Sequence, residues 1–392
     1  MAYLIWGILG ILAFIKKNNI FITLLLALFI LCIFCLNTAN PDLVNYIASY
    51  NGYLQYTEPG MLLLESVFRA GEISYPVFKL VLTAVSILAM ASTIYRFSPY
   101  PTQVLFLYTI YPLTIDVVQY RSFVGYVIVL YAIRFIVAYQ SDKKITNILL
   151  YVLFVLLATS FHYSCIVYIF LIFLFFNHKK HPFLFFIIIP SIPFLLLLFR
   201  VQLVPFVAPI VGSDKVYNWI LKERTTYFFQ VIRIFARNLA PLLFFLLLKY
   251  VKHDAVFKNT TILKPSLFWK DISSKTIKGI SRFYDIAVNR TLFFCVYYIT
   301  ILSIFLELNL SVQYERISRL SLILCAVLIS RQIYYVTDKN KPVAQILFLL
   351  LFVFYFISIM FFMYVDPSSG TTFFDKVFRQ VMESNSLFGI VY

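Results

Sequence analysis

The chain has 392 residues, of which 62% are hydrophobic and only 13% are charged, and its formal net charge is +16. With a mean hydropathy of +0.88, it does not have the composition of a soluble domain. We therefore predict one all-α polytopic membrane domain over residues 1–392, and we interpret the positive charge as a topology signal rather than as a surface for nucleic acid.

Clusters of lysine and arginine alternate with the apolar segments and predict the topology. Placing these clusters in the cytoplasm gives about twelve transmembrane helices with both termini outside. The predicted helices cover residues 2–15, 20–36, 76–95, 101–117, 122–138, 147–160, 163–176, 182–200, 226–249, 291–308, 317–336 and 343–365. Residues 2–15 lack a basic n-region and a small-residue cleavage site, so a retained helix is predicted there rather than a signal peptide.

The segments between the predicted helices differ in chemistry on the two sides of the membrane. Residues 37–75 and 201–225 are predicted loops on the outer face, and the polar residues that are unusual for a membrane protein collect on that side. Residues 250–290 form a basic loop predicted in the cytoplasm, where such a segment lies on anionic lipid. We therefore expect any chemistry at the outer face and interpret the basic loop as a topology anchor.

Cysteine and histidine give no metal or cofactor signal. All five cysteines fall inside predicted helices, where a thiol behaves as a small apolar residue, and three of the four histidines lie in predicted cytoplasmic loops without partner ligands. We also find no nucleotide-binding glycine loop, no G-x-S-x-G motif and no transporter-type repeat. The sequence predicts neither a metal site nor a cofactor.

Carboxylates and tyrosines are concentrated in the first outer loop. Asp42 and Glu58 are candidate proton acceptors. Tyr46 is one of four tyrosines between them and a candidate substrate contact, because aromatic rings stack on the faces of sugars. The alternative is that these tyrosines belong to the aromatic belt of a membrane interface.

The stretch "DVVQYRSFVGYV" places three polar residues at the outer start of the predicted helix 122–138. An arginine at the bilayer centre costs about 2.5 to 3.5 kcal/mol, so a charge within a membrane helix is a candidate functional residue. Arg121 is a candidate for binding an anion, with Gln119 and Asp116 as candidate substrate contacts. An interfacial anchor is the alternative for Arg121.

His162, in "LATSFHYSCIVYI", interrupts a long apolar stretch and predicts a break between two short helices at their outer junction. An imidazole accepts or donates a proton near neutral pH, so His162 is the first candidate for a general base, ahead of Asp42 and Glu58. A structural histidine bonded to a backbone carbonyl is the alternative.

The predicted helix 226–249 contains "YFFQVIRIFARNLAP", in which Gln230, Arg233 and Arg237 share one helical face. Two guanidinium groups on one face repel each other unless an anion lies between them, and their planar forks suit a phosphate or pyrophosphate. Snorkelling to lipid headgroups, or pairing with a carboxylate of another helix, is the alternative.

A second arginine pair occurs in "SVQYERISRL", near the outer end of the predicted helix 317–336. Arg316 and Arg319 are candidates for binding pyrophosphate, and Tyr314 is a candidate substrate contact. A local ion pair between Glu315 and Arg319 is the alternative.

Short motifs in this order resemble the EpsG branch of the Wzy-type polysaccharide polymerases. They are "NPDLVNY", "EPGMLLL", "QYRSFVGYVIVLYAI", "FHYSCIV" and "YERISRL". Two positions depart from the family pattern: Ser122 stands where a glutamine is usual, and the first loop lacks the arginine that in the family often precedes a glycine-aspartate pair.

The resemblance implies a fold similar to the GT-C glycosyltransferases and a metal-independent transfer at the outer face of the cytoplasmic membrane. The implied donor is a growing O-antigen, capsule or exopolysaccharide chain on undecaprenyl pyrophosphate, and the implied acceptor is a fresh lipid-linked repeat unit. It also implies two partner proteins, a flippase and a chain-length regulator. The chemistry fits, because a departing pyrophosphate requires fixed positive charge when no divalent ion is present.

Three other functions use similar residues. An O-antigen ligase differs from a polymerase only in its acceptor. A flippase for lipid-linked oligosaccharides requires charges along both halves of a central cavity, whereas the strongest charges here lie toward one face. A membrane acyltransferase uses a thioester reached from the cytoplasm, which disagrees with the predicted outward position of His162.

Overall fold

The computed structural model describes residues 1–38, 40, 42–53, 58–175, 191, 195, 199–211, 234, 235, 238–245, 274–309, 315–336, 340–357 and 377–384. The described residues form α-helices and one 3₁₀ helix, and they contain no β-strand. The α-helices are α1 (Ala2–Ile15), α2 (Ile20–Cys35), α3 (Leu43–Tyr50), α4 (Pro59–Ala70), α5 (Tyr75–Phe97), α6 (Pro101–Ile110), α7 (Pro112–Val118), α8 (Tyr120–Asp142), α9 (Ile145–Phe161), α10 (Arg200–Val211), α11 (Ser274–Asn309), α12 (Glu315–Tyr335), α13 (Lys341–Ile357) and α14 (Arg379–Glu383). The 3₁₀ helix, Tyr163–Phe175, follows α9.

Within the described part of the chain, four helices are long and apolar enough to cross a membrane: Tyr75–Phe97, Tyr120–Asp142, Val288–Glu307 and Arg316–Tyr335. Shorter apolar helices occupy five more of the predicted positions, from Ala2–Ile15 to Lys341–Leu351. Most of the predicted helices 182–200 and 226–249 lies outside the described residues. The protein is therefore a helical membrane protein, while the count of twelve transmembrane helices stays a prediction.

The structure corrects the predicted helix 101–117, which is two helices rather than one. Tyr111 leaves the helical region with φ −129° and ψ −60°, and Pro112 begins α7. Proline has no N–H to donate to the preceding turn, and it disfavours helical geometry at the residue before it. The break places Asp116 on a short helix that leads directly into α8.

The predicted outer loops contain helices, and one predicted helix needs correction. Residues 37–75 include α3 and α4, and residues 201–211 of the other predicted loop are helical. The predicted helix 163–176 winds as a 3₁₀ helix rather than as an α-helix. The predicted break at His162 is confirmed, because α9 ends at Phe161 and His162 has extended geometry, φ −155° and ψ 116°.

Helices α8 and α12 lie at the centre of the described bundle. Helix α8 packs on α5, α9, α11 and the 3₁₀ helix, while α12 packs on α6, α8, α11 and α13. Almost every residue of α12 is buried, whereas α5 buries half of its apolar stretch and leaves the rest exposed. Charged residues at the start of α12 are thus surrounded by protein rather than by lipid. The free-energy cost of a charge is far lower inside the protein than in lipid.

Candidate active site

Five of the described candidate residues lie where helices begin or end, at one end of the bundle. Asp42 and Glu58 are the N-cap residues of α3 and α4, and Arg121 and Arg316 are the second residues of α8 and α12. His162 follows the last residue of α9. Helix N-termini carry unpaired N–H groups and a partial positive charge. This end of the bundle is called the site end below. Its positive charge comes from the helix N-termini together with the guanidinium groups of Arg121 and Arg316.

Arg121 forms an ion pair with Glu58. The distance from Nη1 to Oε2 is 2.7 Å, and the side chain of Glu58 is 2% exposed while that of Arg121 is 17% exposed. The guanidinium also lies over the ring of Tyr46, 5.9 Å from its centroid. The Tyr46 hydroxyl donates a hydrogen bond to the carbonyl of Val118, at 3.1 Å. The pair therefore joins the starts of α4 and α8, and the buried tyrosine ring supports it.

Close helix packing brings Glu58 and His162 to the site. A Cβ atom at Gly60 would overlap the side chain of Ser160, so glycine is needed for α4 to approach α9 this closely. A Cβ atom at Gly125 would lie 2.7 Å from Sγ of Cys165 and 3.4 Å from Cβ of His162. Two small residues thus set the approach of α4 and α8 to the break at His162.

His162 is buried between Arg316 and Ser164. Nη1 of Arg316 lies 2.9 Å from Nε2, and Oγ of Ser164 lies 2.7 Å from Nδ1. A guanidinium only donates hydrogen bonds, so Nε2 must be the acceptor and the proton of the neutral ring resides on Nδ1, from which it is donated to Ser164. The Ser164 backbone N–H is directed at the same Nδ1, at 3.3 Å, and it gains no hydrogen bond there while Nδ1 carries the proton. In this state the imidazole orients Arg316, and its basic nitrogen is occupied.

Arg319, one turn further along α12, belongs to a sealed network. It forms an ion pair with Asp116, and both side chains are completely buried. Its Nη2 donates to Oε1 of Gln119 at 2.6 Å. The hydroxyl groups of Tyr108 and Tyr126 both donate to the second oxygen of Asp116. The network joins α6, α7, α8 and α12, and it pairs Arg319 with a carboxylate from another helix.

Asp42 differs from the other two carboxylates of the site. Asp42 is a partly exposed residue, and no arginine of the described residues lies within ion-pair distance of its carboxyl group. Burial raises the pKa of Asp42, and the positive charges of Arg316 and Arg121 oppose that shift. Arg316 likewise has no carboxylate partner among the described residues. Arg316, which has no carboxylate partner in the described part of the chain, thus lies near a carboxyl group whose pKa is raised.

Some of the residues predicted from the sequence lie outside the described part of the chain. Gln230, Arg233, Arg237 and Tyr314 lie outside the described residues, as does the side chain of Glu315. Among the described residues, no group of three histidine, cysteine, aspartate or glutamate side chains is placed to hold a metal ion.

Sequence reasoning missed Tyr108 and Tyr126. They lie eight residues before and ten residues after Asp116, and neither separation corresponds to a neighbour on a continuous helix. Only the break at Tyr111 and the junction between α7 and α8 bring them to the carboxylate, so the sequence offered no local signal for either tyrosine.

Fold and site together define a polytopic helical membrane protein with a charged site at one end of its helices. The model of the EpsG family matches residues 20–374. The chain belongs to the EpsG family, whose members are related to the Wzy-type polysaccharide polymerases. Family membership confirms the resemblance of the five motifs and makes the protein a component of polysaccharide biosynthesis. Neither a curated protein nor a solved structure matches the chain.

Proposed function

We propose that this protein is a Wzy-type polysaccharide polymerase that joins undecaprenyl-pyrophosphate-linked repeat units at the outer face of the cytoplasmic membrane. The observation that carries the proposal is Arg316, which lies at a helix N-terminus without a carboxylate partner among the described residues and is oriented by a neutral histidine. A guanidinium held in this way is ready for an external anion, and the leaving group of the reaction is a pyrophosphate. The proposal includes the GT-C-like arrangement of about twelve transmembrane helices.

The groups at the site end can account for every bond and proton in the proposed glycosyl transfer. The hydroxyl oxygen of the acceptor sugar attacks the anomeric carbon of the donor glycan and forms the new C–O bond. The bond from that carbon to the pyrophosphate oxygen breaks, and undecaprenyl pyrophosphate leaves with the electron pair. The hydroxyl proton passes to the base. Arg316 and Arg121 stabilise the charge that develops on the pyrophosphate, so no step requires a metal ion.

Asp42 is the best base among the three candidates. A general base works best when its pKa lies near the operating pH, and burial raises the pKa of Asp42. Glu58 is engaged by Arg121, and Nε2 of His162 accepts from Arg316. We therefore assign proton acceptance to Asp42, the orientation of Arg316 to His162 and the orientation of Arg121 to Glu58.

The remaining candidates receive supporting or substrate roles. Arg319, Asp116 and Gln119 hold the start of α12 against α7 and α8, and Tyr46 supports Arg121. Arg233 and Arg237, with Gln230 and Tyr314, are proposed from the sequence as further contacts to the pyrophosphate and the sugars. A flippase and a chain-length regulator are the proposed protein partners.

The test is a polymerisation assay with purified protein in EDTA. The substrate is the lipid-linked repeat unit extracted from a host strain that lacks this polymerase, and the products are resolved on a gel. A ladder of lengths that disappears in Arg316→Ala supports the proposal. A single transfer to another acceptor indicates a ligase. Lipid that crosses the bilayer without covalent change indicates a flippase and refutes the catalytic roles.

A further inference from the structure

The segment that carries Asp42 is tied to the last described helix by a chain of hydrogen bonds. Nδ2 of Asn37 donates to the carbonyl oxygens of Val381 and Ser384, at 3.4 and 3.3 Å. Oδ1 of Asn37 accepts from Nδ2 of Asn40 at 3.1 Å. Oδ1 of Asn40 accepts from the backbone N–H of Asp42, also at 3.1 Å. Asn37 and Asn40, called the asparagine relay below, thus connect α14 to the proposed base.

Helix α14 is a fixed end for this relay. The ring of Phe378 lies 6.3 Å from that of Tyr3 and 6.2 Å from that of Trp6, both on α1. The Tyr3 hydroxyl donates to Oε1 of Glu383 at 3.3 Å. The helix also packs on α7, the helix that carries Asp116. Its carbonyl groups therefore have a defined position relative to the bundle.

A second contact joins the two segments beside the relay. The backbone N–H and the hydroxyl of Thr38 both donate to the carbonyl oxygen of Ser384, at 2.9 and 3.1 Å. Asn37 and Ser384 are each 4% exposed. Buried hydrogen bonds of this kind are costly to leave unmade, so the contact resists separation of the two segments.

The relay also leaves the Asp42 carboxylate unused by its own helix. An aspartate at an N-cap usually accepts a hydrogen bond from an N–H group of the first turn, but the Asp42 side chain makes no such bond. The side chain of Asn40 makes the turn instead, since it accepts from the N–H two residues later. The carboxylate therefore remains available beside the positive charges of Arg316 and Arg121.

We infer that the asparagine relay is a positioning device for Asp42, with Asn37 and Asn40 as positioning residues and α14 as their support. The inference rests on the proposed function, because it assigns the relay to the residue proposed as the base. Asn37 and Asn40 touch no reacting atom. They act on the rate by restricting where the carboxylate lies, and a base displaced by about 1 Å can lose about 10²-fold in rate.

The test combines hydrogen exchange with kinetics on the full-length protein in detergent. The variants are Asn37→Ala, Asn40→Ala and Asn40→Ser, and the control is Asn51→Ala, an exposed asparagine at the end of α3. We expect Asn37→Ala and Asn40→Ala to raise amide exchange across residues 42–46 and to lower kcat about tenfold, with KM within twofold. The serine hydroxyl introduced by Asn40→Ser can still donate one hydrogen bond and accept another. This variant should therefore have a higher kcat than Asn40→Ala.

The outcomes separate the relay from the proposed function. Unchanged exchange in Asn37→Ala and Asn40→Ala overturns the relay, and so does raised exchange with an unchanged kcat. A rise in KM with no change in kcat also overturns it, because displacement of a base acts on turnover. Asp42→Asn in the same assay tests the proposed function by itself. Full activity of that variant removes the base assignment, whereas an inactive Asp42→Asn with unchanged exchange in the relay variants refutes the relay alone.

Discussion

Arg316 and Arg319 lie one turn apart at the start of α12, yet the structure gives them opposite surroundings. Arg319 is completely buried and is paired with Asp116, which two tyrosine hydroxyl groups also contact. Arg316 contacts a neutral histidine and has no carboxylate partner among the described residues. A completely buried cation with its own counter-ion, such as Arg319, is already neutralised, whereas a cation without one attracts an anion from outside.

The partner of each arginine distinguishes a structural role from a role in the reaction. Charge inside a membrane helix marks both arginines as unusual, but it does not distinguish them. The distinction lies in the partner, which is a carboxylate from a distant part of the chain for Arg319 and an imidazole for Arg316. Loss of the Arg319–Asp116 pair should therefore lower mainly the stability of the protein, and loss of Arg316 should lower mainly its turnover.

Removal of the carboxylate that pairs with Arg319 should have the greatest consequence, a large loss of stability. Asp116→Ala leaves a buried guanidinium without its carboxylate, so we expect a loss of about 3 to 5 kcal/mol in the free energy of unfolding. Replacing both partners, Asp116→Ala with Arg319→Met, removes the buried charge and should recover part of that loss. Thermal unfolding in detergent measures both. If the double variant is no more stable than Asp116→Ala, the pair is not the source of the effect.

Substitution of Arg316 should act on turnover rather than on stability. Arg316→Ala removes the cation proposed to stabilise the leaving group, and we expect kcat to fall about 10² to 10³-fold, the range for loss of one electrostatic stabiliser. The unfolding temperature should change little, because no salt bridge among the described residues is lost. Arg316→Lys keeps the charge without the planar fork, so it should restore only part of the rate. A large loss of stability in Arg316→Ala would place this residue with Arg319 in a structural role.

The sequence predicted the location of this contrast but not the contrast itself. Charged residues in apolar surroundings identified Arg121, Arg316 and Arg319, and the break at His162 followed from one polar residue in an apolar stretch. The ion pair between Arg319 and Asp116 could not be predicted from the sequence, because the two residues are 203 residues apart in the chain. The local alternative, Glu315 with Arg319, was the only partner that helical spacing offered. The relay from Asn37 to Ser384 spans still more of the chain.

The pH dependence of the rate reports on Asp42, the proposed base beside Arg316. Asp42 must be deprotonated to accept a proton, and burial raises its pKa. The rate should therefore rise with pH through a midpoint above about 3.9, the ordinary aspartate value. Asp42→Asn should lower kcat by about 10² to 10⁴-fold and abolish this acidic limb. The measurement is kcat/KM against pH for the wild type and the variant. An acidic limb that persists in the residual activity of Asp42→Asn would assign the titration to another group.

The smallest expected effect concerns Glu65 on α4, a buried carboxylate near Arg121 that the proposed reaction does not use. Ser49 of α3 donates to its Oε2 at 3.0 Å, and its Oε1 has no hydrogen-bond partner among the described residues. Burial raises the pKa of Glu65, while the hydrogen bond from Ser49 and the charges of Arg69 and Arg121 oppose the shift. The folded protein thus holds the Glu65 proton more tightly than the unfolded chain does.

The sign of the pH effect follows from that difference. A carboxyl group with a raised pKa in the folded state contributes stability that is fully present below its unfolded pKa, about 4.3, and is lost as the pH rises through its folded value. Glu65→Gln cannot ionise, so its stability should vary less with pH, and at neutral pH it should exceed the wild type by about 0.5 kcal/mol, a fraction of one hydrogen bond. Glu72→Gln, at an exposed position beyond α4, is the matched control and should behave as the wild type. Unfolding temperatures from pH 4 to pH 8 provide the measurement. If Glu65→Gln is less stable than the wild type at neutral pH, Glu65 is ionised and its charge contributes to holding Arg121 in place.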